Sequence, residues 1–212
     1  MKNKNEISVE RLAEIMIELQ KQGSHNIELV SPTHFAVSTL KSIRIASQLG
    51  LKIPIIYNMN GYDSVEVLKL YKDVIDIYLP DFKYGNNNNC RVYSKVSDYF
   101  DKAKLAVKEM YNQVGSELVY ENGVVVRGLI VRHLILPNDL SETEEVFKFI
   151  AEELDRKIHI SLITQYFRTN RSKKHILISR RIRYGEFMRA VELLDKYGLE
   201  NGWIQEIESS EH

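Results

Sequence analysis

The chain has 212 residues, 29 Lys and Arg against 29 Asp and Glu, and 44% hydrophobic side chains. That length buries a core without staples, and zero formal charge argues against whole-chain attraction to nucleic acid or to an anionic membrane. Its one cysteine, Cys90, excludes an internal disulfide, a four-cysteine zinc site and an iron–sulfur cluster held in the usual way by this chain's own thiolates.

No apolar run reaches the roughly 20 residues of a membrane span, and the N-terminus lacks the apolar core of a signal peptide. A cytoplasmic location is expected. Helical and strand patterns alternate along the chain. Val9, Leu12, Ala13 and Met16 fall at helical spacing behind Ser8, an N-cap residue, and Gly23 is a stop signal. The apolar run 27–30 follows. Ala36, Leu40 and Ile43 define a second helix ending at Gly50, and 53–57 is a second apolar run. Asp63 with Glu66 reads as a capping box before Val65 and Leu68, and 74–79 is a third strand. Ala103, Val107, Met110 and Val114 form a helical stripe that stops at Gly115.

A β-hairpin at 117–127 interrupts the alternation, because Asn122-Gly123 sits between two β-rich runs. Then come a long apolar run at 129–136, a capping box from Ser141 and Glu144, a strand at 158–163, and a last helix through Phe187, Ala190, Val191 and Leu194. Two segments read as loops: the polar Asn run at 85–89, taken as an exposed excursion, and the basic stretch 168–183. No linker rich in Pro, Gly or Ser appears, so 1–212 is expected to be one domain. The five strands are short and apolar, as parallel strands covered on both faces are. Strand–helix–strand repetition implies right-handed βαβ units, in an α/β fold that is either a doubly wound sheet or a partial barrel.

Such folds carry their sites at the carboxyl ends of the strands. The strand ends here offer Ser31, Thr33 and His34, then Asn58 and Asn60, then Asp81 and Lys83, then Arg132 and His133, and last Gln165 and Tyr166. Together they suit a small polar ligand. Each also has a plainer reading. His34 can be a surface histidine, and Asn58, Asn60 and Gly61 can form a turn. Asp81 and Lys83 can be a structural ion pair. Arg132 lies inside an apolar strand, where a charge is costly unless paired or bound to an anion; Asp76 needs a partner for the same reason. His133 faces the opposite way and reads as structural. There is no Gly-rich phosphate loop and no nucleophile–base–orienter set.

In order, the segments 23–27, 30–34, 54–58, 76–84, 113–115, 128–134 and 201–206, with Gly61-Tyr62, Glu109-Met110 and Gln165-Tyr166, resemble radical S-adenosylmethionine proteins. Within that superfamily they are most similar to the group related to pyruvate formate-lyase activating enzymes. The resemblance runs from about residue 5 to residue 206, and strings such as 76–84 carry it. It implies a partial (β/α)6 TIM-like barrel with S-adenosylmethionine at the strand ends. It also implies a four-iron–four-sulfur cluster on a C-x-x-x-C-x-x-C loop after a first strand.

That loop is absent from this sequence. In the alignment Lys2 stands near the place of the last cysteine, so the chain reads as a barrel lacking its first strand and cluster loop. At matching positions the resemblance assigns Ser31, Thr33 and His34 to the methionyl amine. Asn58 and Asn60 are third-strand polar positions, and Asp81 and Lys83 form an Asp-x-Lys motif. Arg132 is assigned to the ligand's carboxylate or ribose, and Gln165 and Tyr166 to the adenine side. Asn138 stands where relatives often carry Gly.

The implied reaction is reductive cleavage of S-adenosylmethionine to a 5′-deoxyadenosyl radical, which abstracts hydrogen from a glycyl-radical-type protein or another substrate. Without the cluster cysteines the chain is expected to be inactive as it stands and to bind S-adenosylmethionine weakly. The alternative is a non-catalytic module that keeps a nucleotide or partner site. An unpaired edge at 27–30 is expected to promote self-association, which light scattering would report.

Overall fold

A computed structural model describes residues 6–166 and 175–205. Six parallel strands form one sheet in the order β1 (Ile27–Val30), β2 (Ile55–Met59), β3 (Ile77–Pro80), β5 (Val124–Leu134), β6 (His159–Ile163) and β7 (Gly202–Ile204). The remaining strand, β4 (Val119–Glu121), pairs antiparallel with the first residues of β5. The parallel strands advance one position at each step, joined by α2 (Ala36–Gln48), α3 (Val65–Leu70), α5 (Tyr99–Val114), α6 (Thr143–Phe149) and α7 (Tyr184–Tyr197). Helix α1 (Val9–Lys21) precedes β1 and packs on α2. Among the described residues the sheet does not close, and β1 and β7 are its edges. No helix of the described residues is long and apolar enough to cross a membrane.

The expectation of strands covered on both faces needs correction. In β2, Ile55, Tyr57 and Met59 are buried while Ile56 and Asn58 are partly exposed; in β6, Ile160 and Leu162 are buried while His159, Ser161 and Ile163 are not. Side chains alternate across a sheet, so one face packs against helices and the other stays open. The packed face carries the aromatic core. Tyr57 meets Tyr71 edge-on at 5.1 Å, and the Tyr78 hydroxyl donates to Gln113 of α5 at 2.7 Å. His133, also on this face, is fully buried. The Phe82 carbonyl can only accept, so Nδ1 of His133 carries the proton and donates to it at 2.6 Å, leaving Nε2 to accept from the Thr143 hydroxyl at 3.0 Å. One imidazole thereby joins β5, the end of β3 and the start of α6.

Four further elements differ from the sequence reading. A sixth parallel strand, β7, exists; three residues are too few to show a period. The hairpin and the following strand are one element, because β5 changes partner at Gly128 (φ +135), running antiparallel to β4 before it and parallel to β3 and β6 after it. The Asn run is not an excursion. Asn86 caps helix α4 (Asn87–Ser94) by accepting from the Asn88 and Asn89 amides, Asn87 donates to Asp101, and Asn89 donates to the Leu140 carbonyl. Neither capping box forms as read. Ser64 caps α3 while Asp63 is drawn into the interior, and Glu142 precedes α6 while Ser141 accepts from the Leu136 amide. Ser8 does cap α1, accepting from the Arg11 amide.

Candidate functional site

The carboxyl ends of β1, β2, β3, β5 and β6 lie along one rim, and the open face beneath it carries a polar band. Arg132 of β5 is in register with Asp81 on one side and Ser161 on the other, and Ser161 is in register with Trp203. The Arg132 guanidinium reaches Asp81 at 2.7 Å and donates to the Asn58 amide oxygen at 2.6 Å. Lys83 meets the other Asp81 oxygen at 3.2 Å, and the Asn58 amide nitrogen donates to Glu28 of β1. Two cations thus share one carboxylate. Among the described residues, Nε of Arg132 is buried with no hydrogen-bond partner, and so is Nδ1 of His159, whose ring lies 5.9 Å from Trp203. Burial lowers the His159 pKa. An orphaned guanidinium N–H beside a lysine and a carboxylate suits a ligand that offers both an acceptor oxygen and a cationic group.

The structure brings together only part of the set expected from sequence. Asn58, Asp81, Lys83 and Arg132 meet on the open face. Thr33 and Asn60 point elsewhere. The Thr33 hydroxyl donates to Asp63 at 2.7 Å, and the Tyr57 hydroxyl donates to the other Asp63 oxygen at 2.7 Å. Burial and this carboxylate raise the Tyr57 pKa. Asn60 accepts from the Tyr62 amide in a tight turn, its plainer reading. Ser31, in the left-handed region at φ +50, and exposed His34 join Thr33 and Asn60 around a separate cleft of about 670 Å³. None of the four open-face residues lines it. Gln165 is exposed at the rim, and the Tyr166 hydroxyl donates to the Ile178 carbonyl. Arg168, Arg171, Lys173 and Lys174 of the basic stretch lie outside the described residues, as do Lys2 and Glu206. Asp76 finds its partner in the Ile55 amide at 2.8 Å, and burial raises its pKa.

Sequence reasoning passed over Glu28 and Ser161 as site residues. The signal for Glu28 was a lone charge in a four-residue apolar strand; that for Ser161 was its parity with Arg132 once the strands are registered.

The ion pair decides what Arg132 does for stability. Arg132 and Asp81 side chains are each about a quarter exposed, at 25% and 24%, and Asp81 keeps Lys83 when Arg132 is lost. Arg132→Met is therefore expected to cost about 1–2 kcal/mol, below the roughly 3–5 kcal/mol of a broken, fully buried pair. A urea melt measures it, and a loss of the larger size would make the pair a structural element.

A four-iron–four-sulfur cluster does not fit the described residues. They contain no group of three His, Cys, Asp or Glu side chains placed to hold a metal. The one thiol, Cys90, is buried on α4 against the Asn87 and Val96 carbonyls.

No family model matches the sequence. An uncharacterized protein of Methanocaldococcus jannaschii is 34% identical over 190 residues, which cover 87% of this chain and 50% of that protein. The chain thus spans about half the length of this curated relative. Among solved structures, a domain of pyruvate-formate lyase-activating enzyme from Bacteroides vulgatus aligns with a TM-score of 0.59 and 12% identity over 85% of this chain and 98% of that one. HydG, a maturase of FeFe-hydrogenase, aligns with a TM-score of 0.59 and 11% identity over 96% of this chain and 45% of that one. At such identities the likeness is one of fold: a mixed α/β partial barrel.

Proposed function

We propose that this chain is the S-adenosylmethionine-binding core of a radical S-adenosylmethionine protein of the activating-enzyme type. The polar band on the open face carries the reading. Asp81 would meet the cationic sulfonium or amine, Arg132 and Lys83 the carboxylate or ribose hydroxyls, and Asn58 would hold Arg132 in place. Two partly buried cations around one carboxylate keep N–H donors in reserve where an acceptor group can replace water. The fold likeness and the resemblance of segments 30–34 and 76–84 support the same assignment.

Reductive cleavage of the ligand needs a cluster that the described residues do not hold, so this chain by itself binds without cleaving. With a cluster supplied to it, cleavage would deliver a 5′-deoxyadenosyl radical to a glycyl-radical-type protein or another substrate. The bound cofactor supplies that chemistry, and these residues supply binding and orientation.

The test joins a strand bearing C-x-x-x-C-x-x-C ahead of Asn5 and reconstitutes the fusion anaerobically with iron and sulfide. The fusion is expected to keep absorbance near about 400 nm and about four irons after desalting, while the chain alone keeps neither. With dithionite and S-adenosylmethionine it should release 5′-deoxyadenosine, and Arg132→Met should slow release at least about tenfold. A cluster-loaded fusion that releases none would contradict the reading, and so would a chain that holds the cluster unaided.

A further inference from the structure

The carboxyl-end rim carries a surface that the ligand site does not use. After β6 the chain forms a 3-10 turn, Ile176–Ile178, in which Ile178 is buried while Ile176 is 86% and Leu177 50% exposed. Tyr184, at the start of α7, is 69% exposed. Three large apolar side chains within nine residues therefore face solvent on one rim segment.

The turn is held firmly. The Tyr166 hydroxyl donates to the Ile178 carbonyl at 3.0 Å, and the Asn138 amide donates to the Leu177 carbonyl at 2.6 Å. Arg180 grips Glu186 with two bonds, at 2.8 and 2.6 Å, and also donates to Asn138 at 2.8 Å. Arg180 and the backbone amides of Arg183 and Asn138, which both donate to it, hold the Glu186 carboxyl down at about 2, so the clamp stays charged through neutral pH. Exposed apolar groups on a pinned turn are already ordered for a partner, which lowers the entropy cost of docking.

Charge and shape say which partner. Among the described residues from 175 to 185 the sequence has Arg180, Arg181 and Arg183 and no Asp or Glu, in a chain of zero net charge. Arg180 is neutralised by Glu186, but Arg181 and Arg183 have no carboxylate partner among the described residues. Beside the turn opens a cavity of about 450 Å³. Asn138 and Glu186, which pin the turn, are in its wall with the paired Asp139 and Arg189, and Leu136, Ala190 and Leu193 supply its apolar lining. Interfaces of this kind seat an apolar anchor in a pocket, with charges at the margin setting register. Aliphatic Ile and Leu at the centre fit a protein better than a nucleic acid, whose bases stack on aromatic and guanidinium planes.

We propose that Ile176, Leu177 and Tyr184, flanked by Arg181 and Arg183, dock an acidic segment of a partner protein that inserts an apolar side chain at this rim. This goes beyond the ligand-site reading and does not depend on it.

The probe is a short synthetic peptide alternating glutamate with leucine, titrated by fluorescence anisotropy onto the intact chain. It should bind saturably. Affinity should fall at least about tenfold in Ile176→Ser/Leu177→Ser, and again in Arg181→Glu/Arg183→Glu. Both variants change only surface groups, and an unchanged urea midpoint confirms that each is folded. An all-glutamate peptide should bind at least about tenfold more weakly. Equal binding of the all-glutamate peptide, or of a single-stranded RNA that loses affinity only in the arginine variant, would overturn the proposal by showing charge attraction alone. Loss of peptide binding with S-adenosylmethionine binding intact concerns this surface and leaves the ligand site untouched.

Discussion

Gly61→Ala is expected to lower the unfolding free energy by about 3 kcal/mol and to disturb Asp81 without touching its side chain. Gly61 ends the turn after β2 at φ +81, a region in which a Cβ is already strained. A Cβ built there lies 2.1 Å from the Asp81 carbonyl oxygen and 2.8 Å from the Tyr99 hydroxyl. The obstacle is backbone, so no rotamer change relieves it. The turn must withdraw from the end of β3, and it takes the Tyr99 contacts with it. That hydroxyl accepts from the Lys83 amide at 2.9 Å and lies 2.9 and 3.0 Å from the Asn60 and Asp81 carbonyls. Gly50→Ala is the control. It has φ +93 and nothing within 4 Å of the added Cβ, so it should show strain alone, about 1 kcal/mol. Equal losses in the two variants would mean that the close approach at Asp81 is not tight.

The second large effect is acid loss of stability through His133. Full burial pushes its pKa down from 6.5 to about 4. The folded state thus keeps the imidazole neutral where the unfolded chain protonates it. Stability from this group is complete above about pH 6.5 and is lost as pH falls toward 4, to a total of about 3 kcal/mol. Glu142 acts in the opposite sense. Burial, with Asp139 and Glu145 nearby, pushes its carboxyl up to about 7, so the folded state takes up its proton first and gains stability as pH falls from 7. The wild-type curve therefore mixes the two. The difference between wild type and His133→Asn, from urea melts at pH 7, 5.5 and 4, isolates the histidine. The variant should be less stable at pH 7, having lost the bonds to Phe82 and Thr143, and the gap should close as pH falls. A gap independent of pH would mean that His133 is protonated in the fold.

What could be read in advance divides along physical lines. Apolar runs located five of the six parallel strands, because a strand with one packed face still needs Val, Ile, Leu and Tyr on it. The meeting of Asn58, Asp81, Lys83 and Arg132 was foreseeable from strand ends alone, since parallel strands in one sheet present those ends on one rim. Thr33 and Asn60 line a separate cleft, because a position in sequence does not say which face a turn side chain takes. Asp63 illustrates the cause: a local pattern offered it to a helix cap, but Tyr57 of the preceding strand and Thr33, distant in sequence, offered two hydroxyl donors in the interior. The Asn run failed for a related reason. Asparagine is a loop residue by composition and a helix cap by mechanism, and Asn86 followed the mechanism. In β5, an apolar run continuous with a hairpin hid one long strand, because Gly128 bends it without ending it.

The central claim is that the open-face band of Asn58, Asp81, Lys83 and Arg132 binds S-adenosylmethionine. The direct measurement is a titration of the isotope-labelled chain with that ligand, followed by amide and side-chain NMR shifts. The expected result is a saturable response centred on those four residues, with a dissociation constant near about 1 mM, or about −4 kcal/mol, lost in Asp81→Asn/Arg132→Met. No response up to about ten times that concentration, or one centred instead on the Thr33 and His34 cleft, would contradict it.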